Sequence, residues 1–265
     1  IVCLTVGLNT GKAIAGSLNK PFVAVNHLEG HALSPKINNK IEFPYLLLLI
    51  SGGHTQFLEV NGINNYKRLG TTIDDALGEA FDKTAKLLGI EFPGGPKIEE
   101  WAKKGDEDYF KLPKPILKTG GCNLSFAGLK TAALKTSKKL KNKKEKYHLA
   151  ASFQETINKI LYEKTKKAMA EFLKNNKKKV NSFVIAGGVA SNLSIRNNLI
   201  KVSREKNFIP IFPPINLCSD NAAMIAWAGI ERYKINLIDG LEFQSKARWP
   251  LDSSAPFLKG AGLKI

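Results

Sequence analysis

The sequence predicts an α/β protein, and three observations carry that reading. Strand-like and helix-like hydrophobic patterns alternate along the chain, as in a sheet covered by helices. Tyr45–Ser51 is an apolar run of the kind that forms a central strand buried on both faces. A buried strand ends in Gly-Gly twice, at Gly52-Gly53 and at Gly187-Gly188, where the backbone has to turn sharply. At 265 residues the chain makes one large domain or two of ordinary size, and 43% hydrophobic residues can fill a sizeable core.

The elements follow in order. Phe22–Val25 reads as a short strand. Asn26 is placed to cap a helix carrying His27 and His31, which Pro35 ends. After Gly52-Gly53, Thr55–Val60 alternates like the hairpin partner of Tyr45–Ser51. Asp74–Leu88 is a helix with Leu77, Phe81, Thr84 and Leu88 as its buried stripe and Gly89 as its C-cap. Pro93-Gly94-Gly95-Pro96 is a rigid turn into a helix near Ile98–Lys103, and Gly105–Asn123 is rich in loop residues. Phe126–Leu140 and His148–Asn175 read as helices, the second with Leu149, Phe153, Ile157, Ile160 and Leu161 at apolar positions. Ser182–Ala186 is a strand, Asn192–Val202 a helix and Ile209–Phe212 a short strand. Asn221–Tyr233 is the last helix, and the tail from Gln244 is irregular.

A net charge of +17 and a pI near 9.7 point to a polyanionic partner, most simply nucleic acid. The excess is mostly Lys rather than Arg, which a general Lys bias explains equally well. Lysines cluster in 138–146 and 177–179, where each run reads either as a solvated helix end or as a binding patch. Cys3, Cys122 and Cys218 are odd in number and widely spaced, which excludes a disulfide framework and a Cys-x-x-Cys zinc site and points to a reducing, cytoplasmic setting. The longest apolar stretch, Tyr45–Ile50, is far too short to span a membrane. The chain starts at Ile1 inside an apolar run, without Met and without a signal peptide, as expected of a fragment that lacks its N-terminus.

The chemistry concentrates in Asn26-His27-Leu28-Glu29-Gly30-His31, which holds two of the four histidines. Spacing of i and i+4 puts both imidazoles on one helical face, where they can chelate a divalent metal or be surface histidines. A zinc peptidase would need Glu directly after the first His; Glu29 sits midway and on another side. Asp220 either caps the following helix or completes a site of two His and one carboxylate. Asp75, Glu79 and Asp82 fall on one stripe at i, i+4 and i+7, a solvated acidic face or a partner for a cation or a hydroxyl-rich ligand. Gly-Gly after a buried strand turns N–H groups outward as an anion cradle. Two such turns, and a helix starting near Asn192, suggest a nucleotide held between two lobes.

These blocks together resemble the tRNA N6-adenosine threonylcarbamoyltransferases, once called glycoproteases, of the actin-like ATPase superfamily. The match runs in order through Val25–His31, Ser51–Gln56, Asp74–Lys83, Pro93–Pro96, Ser125–Thr131, Ala186–Asn192 and Cys218–Met224, and Ala247–Leu251 is similar to the bacterial branch. The resemblance implies a two-lobed actin-like fold without its N-terminal strands, with 1–60 plus 220–265 as a first, incomplete lobe and 61–219 as the second. It implies His27, His31 and Asp220 as ligands of one divalent ion, iron(II) or else zinc, with His54 nearby but not ligating. It places Leu49, Ile50, Ser51, Gly52, Gly53, Asp82, Gly95 and Asn192 around an adenylate, with Glu99 sharing the role of Asp82. The implied reaction is transfer from threonylcarbamoyl-adenylate to N6 of adenosine 37 in the anticodon loop of tRNA. The implied partners are an actin-like paralogue and a small ATPase, and the run Lys138–Lys146 is expected to border the cleft and meet tRNA phosphates. Two departures stand out: the family's first phosphate hairpin, ahead of the helix Leu4–Leu18, is absent, and Asn123-Leu124 replaces an acidic-aromatic pair. The competing classes are a non-catalytic tRNA- or partner-binding actin-like fragment and a metallopeptidase.

Overall fold

The computed structural model describes residues 2–256. Its centre is one five-stranded sheet in the order β3-β2-β1-β4-β5, formed by β1 (Tyr45–Ile50), β2 (Thr55–Gly62), β3 (Asn65–Thr71), β4 (Asn181–Ala186) and β5 (Phe208–Ile211). The first three strands form an antiparallel meander; β1 pairs with β4, and β4 with β5, in parallel. Every residue of β1 is buried, because Leu47 has Leu58 on one side and Val184 on the other and helices cover both faces.

The period-two geometry of a strand sorts β1 between two cores. Leu46, Leu48 and Ile50 face the larger one, with Phe57, Phe81, Phe153 and Ile160. That core is roofed by α3 (Leu77–Leu88), α4 (Gly94–Ala102), α5 (Ala127–Ser137), α6 (Lys143–Asn175) and α7 (Leu193–Glu205). Tyr45, Leu47 and Leu49 face the smaller core, with Leu28 and Ala32 of α2 (His27–Leu33). There α2 packs against α8 (Ala222–Lys234). The N-terminal α1 (Val2–Ser17) buries only Ala15 and leaves Val2, Leu4, Val6 and Ile14 exposed. Thr5 and Ser245 hydroxyls meet at 3.2 Å, so α1 lies beside the C-terminal tail.

The α/β class and most elements match the sequence pattern, and three expectations need correction. Phe22–Val25 is not a strand: Phe22 makes one isolated bridge to Asp239, with no neighbouring strand to extend it. α3 starts at Leu77, because the carboxylate of Asp74 is turned to α5, where it accepts the N–H groups of Phe126 (2.7 Å) and Ala127 (3.2 Å). α6 starts at Lys143, ahead of His148, because Asn142 Oδ1 caps it by accepting from Glu145 N at 2.9 Å. Residue 60 lies within β2, and β1 and β2 share one hydrogen-bonded array with β3, β4 and β5. The sequence pattern did not anticipate β3, whose Asn65, Lys67 and Arg68 are usual on an edge strand but hide the alternation.

Candidate metal centre and adjoining cleft

Asn26 fixes the start of α2: its Oδ1 accepts from Leu28 N at 2.9 Å, and its Nδ2 donates to the Trp249 carbonyl at 2.6 Å. One turn apart, His27 and His31 stand with ring centroids 4.9 Å apart and planes at 89°. Gly30 faces α8, where a Cβ would lie 2.9 Å from Ile225 Cδ1; a bare backbone lets the two helices close. Asn221, not Asp220, caps α8, accepting from Met224 N at 2.9 Å. The Asp220 carboxylate is thereby left for the histidines, with Oδ1 at 3.0 Å from His31 Nε2 and 3.4 Å from His27 Nε2. One ligand atom from each of the three lies within 4.8 Å of the others.

The two distances from Asp220 suit a common ion. Ligand atoms about 2.0–2.2 Å from one centre stand about 3.0–3.5 Å apart. Burial, then the neighbouring His27, holds His31 below its ordinary value despite the pull of Asp220, so a neutral, metal-binding imidazole is favoured. His54 is also lowered, by burial and by His27 and His31, which places it within electrostatic reach of the pair without joining the three. The one poor feature is His31 Nδ1, buried without a hydrogen-bond partner among the described residues, where a metal-bound His commonly donates.

Glu29 points the other way. It is 1% exposed, pairs with Arg232 of α8 at 2.9 Å, and accepts from Tyr66 Oη and Asn64 N, each at 2.9 Å. A carboxylate so occupied serves to bolt α2 onto α8 and is not placed as a peptidase base. Spacing gave no hint of Arg232, Tyr66 or Asn64; a Glu inside a buried helix face is the one signal that a cation had to be near.

The carboxyl ends of β1 and β4, the usual ligand position of a parallel α/β arrangement, run into the two Gly-Gly turns. Leu49 and Ile50 are wholly buried, main chain included, so neither presents a surface there. Gly187 adopts φ 96° and passes so close to Ile50 that a Cβ would lie 2.4 Å from its carbonyl oxygen. Gly52, Gly53, Gly95 and Gly188 have nothing within 4 Å of a Cβ position, so all four border open space. Ser51 closes the first turn, its Oγ accepting from His54 N at 3.1 Å. Asp82 Oδ1 accepts from Gly94 N at 2.9 Å and ties α4 to α3. Asn192 and Glu99 occupy the start of α7: Asn192 Oδ1 takes Ile195 N–H at 2.9 Å, and Glu99 Oε1 takes Ser194 N–H at 3.1 Å. These two N–H groups of α7 are therefore already bonded, unlike the free anion-binding helix end the sequence suggested. Asp75, Glu79 and Asp82 do not form one stripe either. Asp75 precedes α3 and shares Lys83 with Glu79, while Lys130 also pairs with Asp75.

The profile of the TsaD family, tRNA N6-adenosine threonylcarbamoyltransferase, matches residues 1–227. The chain belongs to that family. A tRNA N6-adenosine threonylcarbamoyltransferase of Pelagibacter ubique (strain HTCC1062) is 66% identical over 265 residues, covering 100% of this chain and 74% of that protein. The namesake from Rhodospirillum rubrum is 50% identical over 261 residues, covering 97% of this chain and 72% of the relative. Among solved structures, full-length HypF in a phosphate- and nucleotide-bound form superposes with TM-score 0.60 at 14% identity, over 84% of this chain and 37% of HypF. That likeness concerns the fold alone, which is α/β and actin-like. In this member of the threonylcarbamoyltransferase family, five of the seven motif blocks quoted from the sequence fall at the two sheet-end turns, the start of α4 and the His27–His31–Asp220 group, and the other two at the starts of α3 and α5.

Proposed function

We infer that the protein transfers a threonylcarbamoyl group from threonylcarbamoyl-adenylate to N6 of adenosine 37 in tRNA. The observation that carries this reading is the meeting of His27, His31 and Asp220 in a chain whose two Gly-Gly turns follow β1 and β4 and border open space at Gly52, Gly53 and Gly188. Gly52, Gly53, Gly95 and Gly188 leave room for an adenylate to lie against the main chain. Asp82 accepts hydrogen bonds from ribose hydroxyls, which only donate usefully to a carboxylate. Glu99 and Asn192 act by fixing the start of α7 against α4. An ion held by the three ligands, iron(II) or zinc, would supply Lewis acidity and positive charge beside the phosphate. As N6 forms its bond to the carbamoyl carbon, N6 loses one proton, the carbon–oxygen bond to phosphate breaks, and AMP leaves with the electron pair.

An actin-like paralogue and a small ATPase acting alongside are the partners the family resemblance implies. We place the sheet and its helices in one lobe and α1 with the C-terminal tail at the border of another. No helix of the described residues is long and apolar enough to cross a membrane. The test is direct: the protein, loaded with iron(II) or zinc and supplied with its partner subunits, threonylcarbamoyl-adenylate and unmodified tRNA, yields threonylcarbamoyladenosine detected by nucleoside mass spectrometry. Absence of that nucleoside with either ion sinks the reading.

A further inference from the structure

Along α4 runs a groove that the reaction above does not use. It is made of two joined hollows. The first, of about 410 Å³, is lined by Phe92, Pro93, Pro96, Lys97 and Trp101, with Glu91 at its edge. The second, of about 360 Å³, is lined by Trp101, Lys141, Lys143 and Lys146. Trp101 lines both, so the hollows adjoin at its ring. Pro93 and Pro96 flank Gly94-Gly95, so the first hollow adjoins Gly95, which the proposed function places beside the adenylate. Phe92 is 83% exposed, a large ring with little protein cover.

Cations from separate elements gather here. Lys104, just past the end of α4, and Lys143 of α6 hold their Nζ atoms 5.8 and 6.0 Å from the ring of Tyr147, and Trp101 meets that ring edge-on at 5.2 Å. The carboxylates present do not cancel them. Glu100 pairs with Lys97 at 3.3 Å and Lys104 at 3.1 Å, but all three side chains are about half exposed or more, where such pairs are weak. Lys146 Nζ is spent on the Leu88 carbonyl at 3.1 Å. An exposed aromatic face among lysines is the surface that single-stranded nucleic acid fits: bases stack on rings and phosphates meet cations.

We propose that this groove holds the single-stranded loop of the tRNA beside the target adenosine, with Phe92 stacking on a flanking base and Lys97, Lys104 and Lys143 on phosphates, an assignment that rests on tRNA being the acceptor. Two variants separate the two kinds of contact: Phe92→Ala, and the triple change Lys97→Gln, Lys104→Gln, Lys143→Gln. All four residues are on the surface, so the fold is retained. tRNA binding is measured for each between about 50 and about 200 mM salt. The triple change lowers the slope of log affinity against log salt by about 2, at about 0.7 per single-strand phosphate contact. Phe92→Ala weakens binding about tenfold and leaves the slope unchanged. Both keep wild-type affinity for threonylcarbamoyl-adenylate. If both variants bind tRNA as the wild type does while the wild type transfers normally, the groove is a solvated face and the assignment is overturned. It is equally overturned if the triple change releases a partner subunit and leaves tRNA binding intact, for then the occupant is an acidic protein. A wild-type protein that neither binds tRNA nor modifies it removes the functional reading as well, which distinguishes the two failures.

Discussion

His31 and His27 supply the same donor atom from opposite settings. The His31 side chain is 1% exposed and the His27 side chain 50%. His27→Ala should therefore remove bound metal at almost no cost in stability, whereas His31→Ala should remove it and lower the melting temperature by opening a hole beside α8. Metal analysis beside a thermal melt checks both; metal content unchanged in His27→Ala would make the pair a surface feature. A second residue is legible only in the structure. Lys164 is fully buried, and its Nζ donates to the carbonyls of Thr119 (2.9 Å) and Gly121 (3.0 Å), tying down the loop before α5. Burial pushes its pKa down to about 8, from about 10.5 in an unfolded chain. The unfolded chain thus holds a proton between about pH 8 and 10.5 that the folded one has released. Stability from this group rises with pH through that window, and the cost of its charge is fully present below it. Lys164→Met should flatten the stability curve there, as urea unfolding at several pH values would report. Spacing alone put His27 and His31 on one face; Asp220 stood between a cap and a ligand until the resemblance chose, and Lys164 gave no signal, since a lysine on a long helix reads as solvated.

At the scale of elements, the placement of the metal group depends on how α2 meets α8. The Glu29–Arg232 pair is the main polar bond between them, and both side chains are buried. Glu29→Gln leaves the guanidinium without its charge partner and should cost about 3–5 kcal/mol. It should also weaken metal binding several-fold, because His31 and Asp220 sit on the two parts being joined. Urea unfolding and a metal titration read the two effects; wild-type metal affinity in a destabilised variant would show that the ligands are held by other means. The turn after β4 is stricter. Gly187→Ala meets both a positive φ and the Ile50 carbonyl, so a loss of about 3 kcal/mol or more is expected in the same unfolding assay. The sequence showed these two elements in unequal measure. Gly187-Gly188 announced a turn after an apolar run, while the union of α2 and α8, nearly two hundred residues apart, left only a glycine between two histidines as its trace.

Across the whole molecule, the pattern that read best was local and the pattern that read worst was pairing. β1 was visible because all six of its residues are apolar, which follows from burial on both faces. β3 was not, because an edge strand carries lysine and arginine where water reaches it. The excess of lysine named a polyanion without saying where it lies, and only the convergence of α4 and α6 around Tyr147 gives the charge an address.

The uneven exposure of the three ligands has a consequence for the life of the protein. With His31 enclosed but His27 half open and the Asp220 side chain 76% exposed, an ion would be held from one side and reachable from the other. Exchange with the surroundings then needs no unfolding. A chelator should strip the ion while the far-ultraviolet circular dichroism stays the same, and added metal should restore it at once. Loading becomes a late and reversible event. Two imidazoles and a carboxylate accept several first-row ions, so the ion carried would follow the supply around the protein as much as the preference of the site.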